Sequence, residues 1–347
     1  MNNIETINKL SEAVINFGAG KEPHEGRRWA MNIDAWDWVP GVGLYGLFKG
    51  YEITRNETIL NFLINWTDTH LEKAYELKTV NSTAPLLTVL KLYQITKKEN
   101  YLKVCKEIAQ WVVNDAKRTK EGGFEHTVTE AGAGFSEQIW ADTLFMVCIF
   151  LADLGKELND RGYIDEACSQ LVIHHKLLKD KATGLFYHGW NCEQKDWMSG
   201  AFWGRANAWI TLSTVEMLSA LPDEFSGRDF ILHSLSRQVS ALFQYQREDG
   251  LFGTLIDDTD RYGETSATAG ICYGVKKGIE LGYINRKYMS IYNKGIKELK
   301  LFVAENGELG GVSTGTPVMP TKEAYKNIEV YPTLYGQSLA ILAFTLE

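Results

Sequence analysis

No stretch of this sequence approaches the roughly 18 uninterrupted apolar residues that a membrane-spanning helix needs. The amino-terminal segment, residues 1–18, mixes polar and apolar side chains and contains no apolar core of the kind found in secretory signals. From these two absences we expect a cytoplasmic protein.

Cysteine is also scarce, and the five cysteines are widely spaced and form no CxxC pair or zinc-binding pattern. Most of them lie in apolar segments with helical spacing, so we expect reduced core residues. The adjacent His174 and His175 form no HExxH motif, and we expect them on the surface of a charged helix. These patterns predict neither a metal nor a cofactor.

Glycine-rich phosphate loops of the types GxGxxG and GxxxxGK[ST] are missing, and so is the GxSxG nucleophile elbow. These absences disfavour nucleotide binding and acyl-enzyme chemistry. The formal net charge is -8, and no segment clusters Lys and Arg with aromatic residues. A nucleic-acid partner is therefore not expected.

Aromatic residues are the most unusual component that is present, at 12% of the chain with 10 Trp. Most of them are expected to fill a large helical core. Those that remain accessible would offer flat faces on which sugar rings can stack.

A repeat organises the chain, because a glycine followed closely by an apolar residue recurs about every 60 residues. The four copies are Gly122-Gly123-Phe124, Gly184-Leu185-Phe186, Gly250-Leu251-Phe252 and Gly307-Glu308-Leu309. Each copy follows an amphipathic helical pattern and precedes a polar loop. Each loop is followed by a helix that is poor in charge.

Six such apolar helices are predicted, starting near Trp36, Ala84, Glu137, Phe202, Glu264 and Tyr331. Six more charged helices alternate with them, near 2–17, 56–72, 98–115, 161–179, 226–246 and 287–304. This alternation predicts an all-α protein, an (α/α)6 barrel of six helical hairpins forming a single catalytic domain over residues 1–347. An open solenoid is the alternative, but the apolar last helix favours closure.

In such a barrel the loops that enter the inner helices meet at one mouth, where helix amino termini also point. We therefore expect functional residues at the starts of inner helices. The candidates there are Trp36, Trp38, Asn81, Trp140, Asp142, Trp203, Arg205, Glu264, Thr265, Tyr331 and Tyr335. Aromatic faces, an acid, an amide and a guanidinium suit a site for an acidic sugar.

Asp142 stands in an apolar stretch, which predicts a raised pKa suited to a general acid. A helix-capping role is an equally good interpretation from the sequence alone. Arg205 is either a clamp for a substrate carboxylate or one half of an ion pair with an acid such as Glu264, and the residues alone favour the ion pair. His126 and His188 follow two of the glycine turns, and such loop histidines could face one pocket.

Four segments together resemble the unsaturated rhamnogalacturonyl hydrolases of glycoside hydrolase family 105, which are related to the unsaturated glucuronyl hydrolases. The segments are Gln138-Ile139-Trp140-Ala141-Asp142, the Phe-Tyr-His-Gly-Trp loop at 186–190, Phe202-Trp203-Gly204-Arg205-Ala206-Asn207-Ala208-Trp209, and Glu264-Thr265-Ser266-Ala267-Thr268-Ala269. They keep their order from about Trp36 to the carboxyl terminus.

The resemblance implies removal of a Δ4,5-unsaturated uronic acid from the non-reducing end of a lyase-generated oligosaccharide, with the unsaturated rhamnogalacturonan disaccharide as the expected substrate. Asp142 would protonate C4 and assist addition of water at C5, without metal or cofactor. The residues implied or expected to bind substrate are Trp38, Asn81, His126, Trp140, His188, Trp203, Arg205 and Trp209.

Two departures from the family pattern stand out. Asn81 occupies a position where some relatives carry a second Asp, and its amide cannot act as a base. Ala206 and Ala208 stand where glycine is common, and we expect their methyl groups to narrow the pocket and affect the leaving sugar.

Three alternatives remain open at this stage. One is an unsaturated glucuronyl hydrolase that acts on another polysaccharide. The second is an (α/α)6 sugar epimerase, which is disfavoured because no histidine lies in the central turns of an inner helix. The third is a non-catalytic glycan-binding scaffold, which would not need an acid at a mouth lined by Trp and Arg. The oligomeric state is not predicted.

Overall fold

The computed structural model describes residues 2–17, 29, 31–131, 133–258 and 262–346. The α-helices in chain order are α1 (Asn3–Phe17), α2 (Trp38–Thr54), α3 (Glu57–His70), α4 (Pro85–Thr96), α5 (Glu99–Asn114), α6 (Ile149–Leu158), α7 (Arg161–Leu178), α8 (Gly204–Ala220), α9 (Arg228–Tyr245), α10 (Thr265–Glu280), α11 (Met289–Leu299), α12 (Lys322–Lys326) and α13 (Leu334–Phe344). Four short 3₁₀ turns occur at Leu71–Tyr75, Asn81–Thr83, Arg286–Tyr288 and Lys300–Phe302, and a π turn at Leu144–Cys148 precedes α6.

Six of these helices form a closed inner ring. Packing runs from α2 to α4, α6, α8, α10 and α13 and returns from α13 to α2. Every residue of α13 is buried, so this helix needs neighbours on all sides and cannot end an open array. The more charged helices α1, α3, α5, α7, α9 and α11 surround the ring. The predicted (α/α)6 barrel is confirmed, and the solenoid alternative is wrong.

The glycine repeat marks equivalent turns outside the inner helices. Gly122, Gly184, Gly250 and Gly307 have φ of 81°, 87°, 93° and 85°, a left-handed conformation that a side chain would strain. Two residues after each glycine, a backbone N–H donates to a buried side-chain acceptor: Gln170, Asn207, Thr268 and Gln337 accept from Phe124, Phe186, Phe252 and Leu309 respectively. The buried amides and hydroxyl thus satisfy backbone donors that the tight turns leave without partners.

Two short antiparallel ribbons interrupt the helical pattern. Strand β1 (Gln138–Trp140) pairs with β2 (Gly189–Asn191), and β3 (Phe252–Gly253) pairs with β4 (Gly263–Glu264). The helix predicted to start near Glu137 therefore begins only after Asp142, because the preceding residues pair with β2. The other inner helices begin within three residues of the predicted starts.

An ionic cluster occupies the inner ring at the carboxyl-terminal half of its helices. Lys277 on α10 donates to Glu216 on α8 at 2.6 Å, and Tyr273 donates to the same carboxylate. Lys91 on α4 pairs with Asp153 on α6 at 2.8 Å. Burial opposes ionisation of Glu216, but the charges of Lys277 and Lys49 outweigh it and hold the pKa of Glu216 below its usual range.

Replacement of Glu216 by glutamine is expected to lower the free energy of unfolding by about 3 kcal/mol, because Lys277 would remain half-buried without its counter-charge. Urea unfolding monitored by circular dichroism would measure the change. The exposed Glu224 provides the control, since Glu224→Gln should change the free energy of unfolding by no more than about 0.5 kcal/mol. Equal effects of the two substitutions would contradict a stabilising role for the cluster.

The five cysteines are free and buried, as expected from the sequence. No helix among the described residues is long and apolar enough to cross a membrane. The expected surface position of His174 and His175 is wrong, because both side chains are fully buried. His175 contacts the hydroxyls of Ser234 and Thr214 at 2.9 and 2.8 Å, which satisfies both ring nitrogens between α7, α8 and α9.

Candidate active site

A cavity of about 250 Å³ opens where the inner helices begin. Its walls come from the starts of α2, α4, α6 and α8 and from loops between the helices. The lining residues are Trp38, Asn81, His126, Val128, Glu130, Ala133, Phe135, Trp140, Asp142, Met146, Trp203, Arg205, Gly315, Thr316 and Pro317. Nine residues were predicted to act as the acid or to bind substrate, and the structure brings seven of them to this one cavity.

The ribbon formed by β1 and β2 brings Asp142 next to His188. Trp140 pairs with Gly189, and the Ala141 N–H donates to the carbonyl of His188 at 2.9 Å. The following residue, Asp142, then places its Oδ2 atom 3.3 Å from Nε2 of His188. His188 does not line the cavity, but it supports the carboxylate from behind.

The Asp142 carboxylate has a distinctive environment. Its side chain is 13% exposed, and that of His188 only 1%. Among the described residues, neither Asp142 Oδ2 nor His188 Nε2 has a well-aligned hydrogen-bond partner. The Oδ2 atom of Asp142 accepts no hydrogen bond from the helical turn that follows it, so it gives no support to the capping interpretation. A close but imperfectly aligned contact is common in catalytic groups that tighten around a substrate.

Burial by itself would raise the pKa of Asp142. The adjacent imidazole of His188 has the opposite effect on this pKa, and His126 and Arg205 add smaller effects in the same direction. Together they outweigh burial and lower the pKa of Asp142 below the usual value of 3.8. The raised pKa expected from the apolar sequence context is therefore wrong. Burial lowers the pKa of His188, so the imidazole is neutral near neutral pH.

Aromatic rings contribute much of the cavity wall. Trp140 stacks on His126, with ring centroids 4.3 Å apart and planes at 11°, and Phe135 packs on Trp140 at 4.4 Å. Trp38, which also lines the cavity, stacks on Tyr335 at 5.1 Å. Aromatic faces in a cavity wall suit the flat face of a sugar ring.

His126 is buried and its pKa is lowered to about 4 by that burial. Its Nδ1 atom contacts the Thr143 hydroxyl at 3.0 Å. The ring is therefore a neutral hydrogen-bonding group in the cavity wall at neutral pH.

Arg205 places a positive charge at the cavity wall. Its Nη1 atom lies 3.6 Å from Glu264, and both side chains are only 1% exposed, so the ion pair favoured from the sequence is confirmed. Its two terminal nitrogens also donate to Ser313, Thr314 and Thr316. Because protein acceptors engage these donors, Arg205 can act on an anion mainly through its charge.

Asn81 is buried in the cavity wall at the 3₁₀ turn before α4. Its Oδ1 atom has no hydrogen-bond partner within the described ranges. A buried amide oxygen without a partner is costly, and a ligand hydroxyl that donates to it would remove that cost.

Other predicted residues lie outside the cavity lining. Trp209 is fully buried one turn into α8 and packs on Phe145 at 4.8 Å. Ala206 and Ala208 are also fully buried, and neither lines the cavity. A methyl group added at Gly270 would lie 2.8 Å from Cβ of Ala208, which shows that Ala208 packs against α10. The expected narrowing of the pocket by these alanines is wrong.

Several lining residues were missed from the sequence. They are Val128, Glu130, Ala133, Phe135, Met146, Gly315, Thr316 and Pro317. Most belong to loops without helical periodicity, and only the aromatic Phe135 carried a usable signal. The described residues include no group of three or more His, Cys, Asp or Glu side chains arranged to hold a metal ion.

Known proteins share this architecture. The profile of Glycosyl Hydrolase Family 88 matches residues 9–346. The unsaturated rhamnogalacturonyl hydrolase YesR of Bacillus subtilis (strain 168) is 36% identical over 309 residues, which are 88% of each chain. A structure described as a possible family 105 member from Salmonella enterica serovar Paratyphi A is 32% identical, with a TM-score of 0.90 over 98% of this chain and 92% of that one.

A more distant structure supports the fold alone. The unsaturated glucuronyl hydrolase from Bacillus sp. GL1 is 16% identical, with a TM-score of 0.77 over 98% of this chain and 94% of that one. The family resemblance stated from the sequence motifs is confirmed by these matches.

Proposed function

The chain belongs to glycosyl hydrolase family 88, and from this membership and the cavity geometry we propose that it removes a Δ4,5-unsaturated uronic acid from the non-reducing end of an oligosaccharide. The observation that carries the proposal is the Asp142 carboxylate, which lines an aromatic cavity and is held at 3.3 Å from a neutral histidine. The unsaturated rhamnogalacturonan disaccharide is the preferred substrate, supported by the similarity to YesR.

Asp142 is proposed as the only acid–base group. Its proton goes to C4 of the enol ether, which leaves positive charge on C5 and the ring oxygen. A water molecule then adds to C5 and returns a proton to Asp142. The resulting hemiketal opens, and the freed hemiacetal at C1 releases the neighbouring sugar. One group that acts first as acid and then as base replaces the usual pair of glycosidase carboxylates.

The low pKa of Asp142 must rise before it can donate a proton. The substrate carries its own carboxylate next to C5, and a second negative charge in the same cavity disfavours ionisation of Asp142. Entry of the sugar also displaces water, which acts in the same direction. Substrate binding is thus expected to protonate the acid that the reaction uses.

The remaining predicted residues have supporting roles. The charge of Arg205 favours the substrate carboxylate, and Asn81 Oδ1 accepts from a sugar hydroxyl. Trp38, Trp140 and Trp203 supply aromatic surface. His126 is a neutral hydrogen-bonding group, and His188 holds Asp142. Trp209 would act by supporting the wall rather than by touching the sugar. The single domain over residues 1–347 and the cytoplasmic location stay predictions.

The proposal is tested by ultraviolet absorbance of the conjugated double bond of the unsaturated uronate. Purified protein added to lyase-digested rhamnogalacturonan should abolish the absorbance. Unsaturated disaccharides from glucuronate-containing polymers serve as the comparison and should react more slowly. Loss of absorbance only with the glucuronate substrates would change the leaving sugar, and no loss with either would overturn uronide hydration.

A further inference from the structure

The segment between α11 and α13 reaches the catalytic carboxylate through one buried tyrosine. Tyr325, on the short helix α12, is fully buried, and its hydroxyl lies 2.8 Å from Nδ1 of His188. The opposite ring nitrogen of His188, Nε2, faces Asp142. Tyr325, His188 and Asp142 therefore form a continuous polar chain that ends at the acid.

Hydrogen-bond directions along this chain can be assigned. The Met319 N–H donates to the Tyr325 hydroxyl oxygen at 3.1 Å, so that oxygen already accepts one bond and its own proton is free to point to His188. A neutral imidazole has one donor and one acceptor nitrogen. If Nδ1 accepts from Tyr325, Nε2 carries the proton and faces Asp142. The opposite tautomer would place an imidazole lone pair against a carboxylate oxygen.

The tyrosine is held by its own segment. The Thr321 hydroxyl accepts from the Ala324 N–H and so caps α12. Lys326 pairs with Asp258 at 2.5 Å, and Lys322 pairs with Asp257 at 3.1 Å. These contacts attach α12 to the loop after β3. The same segment contributes Gly315, Thr316 and Pro317 to the cavity wall.

We propose that Tyr325 is a positioning residue whose hydroxyl donates to Nδ1 of His188 and so keeps the Nε2–H of His188 directed at Asp142. The idea rests on the proposed function, because Asp142 is the acid only in that reaction. Tyr325 does not line the cavity and would act through His188 alone. A correctly oriented Nε2–H also stabilises the Asp142 carboxylate that forms again after proton transfer.

The first test is kinetic. Tyr325→Phe removes one oxygen atom and keeps the ring, so the fold should be retained. We expect kcat to fall about 10-fold with KM changed less than about twofold, because orientation of the acid is lost while the cavity wall is intact. Tyr101→Phe is the matched control, since Tyr101 on the outer helix α5 is equally buried and donates to Asp68 on α3 at 2.6 Å. It should leave kcat and KM unchanged.

The second test reads the tautomer directly and needs no activity. Protein labelled with ¹⁵N at its seven histidines would be studied by NMR, with His188 assigned by its loss in His188→Gln. Asp142→Ala removes the carboxylate, so Tyr325 alone would then select the tautomer. We expect the Nε2–H form in Asp142→Ala and a mixture of tautomers in Asp142→Ala/Tyr325→Phe.

An Nδ1–H tautomer in Asp142→Ala, or the same signals with and without Tyr325, would overturn the proposal. So would a kcat for Tyr325→Phe equal to that of the wild type. If the protein consumed no unsaturated uronide at all, the proposed function would fail, but the NMR result would still show whether Tyr325 sets the His188 tautomer.

Discussion

Replacement of Asp142 by asparagine is expected to reduce the rate of unsaturated-uronide consumption by about 10³-fold or more, because the amide cannot deliver a proton to C4. The two side chains have nearly the same shape, so the cavity should be preserved. Among the described residues that line it, Glu130 is the other carboxylate, and it is exposed. The measurement is kcat from the decrease in ultraviolet absorbance, with saturating substrate.

A matched control separates loss of the acid from loss of a surface charge. Asp165 lies on the outer helix α7, where its side chain is 58% exposed and pairs with Arg161. Asp165→Asn should keep full activity. If Asp142→Asn retained more than about a tenth of the wild-type kcat, Asp142 would not be the general acid. Calorimetric measurement of substrate binding by the Asp142→Asn variant would show that the cavity still recognises the sugar.

Lowering the pH from 7 to 4 is expected to remove several kcal/mol from the free energy of unfolding, through buried histidines that must stay neutral. Burial lowers the pKa of His174 to about 4 and that of His175 to about 3, against 6.5 for an ordinary histidine. Above pH 6.5 both histidines are neutral in the folded and in the unfolded protein, so their contribution to the free energy of unfolding is fully present. As the pH falls towards the folded-state pKa, only the unfolded chain gains the protons.

Each of these two histidines would cost about 3 kcal/mol at pH 4, at 1.36 kcal/mol for each unit between the pH and the unfolded pKa. Urea unfolding at a series of pH values would measure the slope of the free energy of unfolding. His175→Gln should reduce this slope between pH 6.5 and 4 by about one proton, whatever it does to absolute stability. Glutamine can still bond to Ser234 or Thr214, which limits structural damage.

The exposed His233 on α9 is the control for the acid effect. His233→Gln should leave the pH dependence of the free energy of unfolding as it is in the wild type. A slope unchanged by His175→Gln would show that His175 is protonated in the folded protein, contrary to its burial between two hydroxyls.

The fold could be predicted from the sequence because its main signals are local. Helices that are apolar all round are buried on every side, the 3.6-residue spacing of apolar residues marks the amphipathic outer helices, and the four glycines mark turns that need a left-handed backbone. Six buried helices alternate with six amphipathic helices. The last buried helix is covered on all sides if the ring of buried helices closes. Asp142 lies near the start of an inner helix, and because these starts meet at the mouth of the barrel, its location there could also be predicted from the sequence.

Tertiary structure alone decided the surroundings of that acid. Asp142 and Tyr325 are far apart in the chain, and no local pattern indicates that His188 lies between them. The low pKa of Asp142, the burial of His174 and the cavity wall formed by Thr316 depend likewise on contacts between distant segments. Periodicity reports which face of a helix avoids water. It does not report which side chains from other segments meet there, because that depends on how the closed ring and its loops pack.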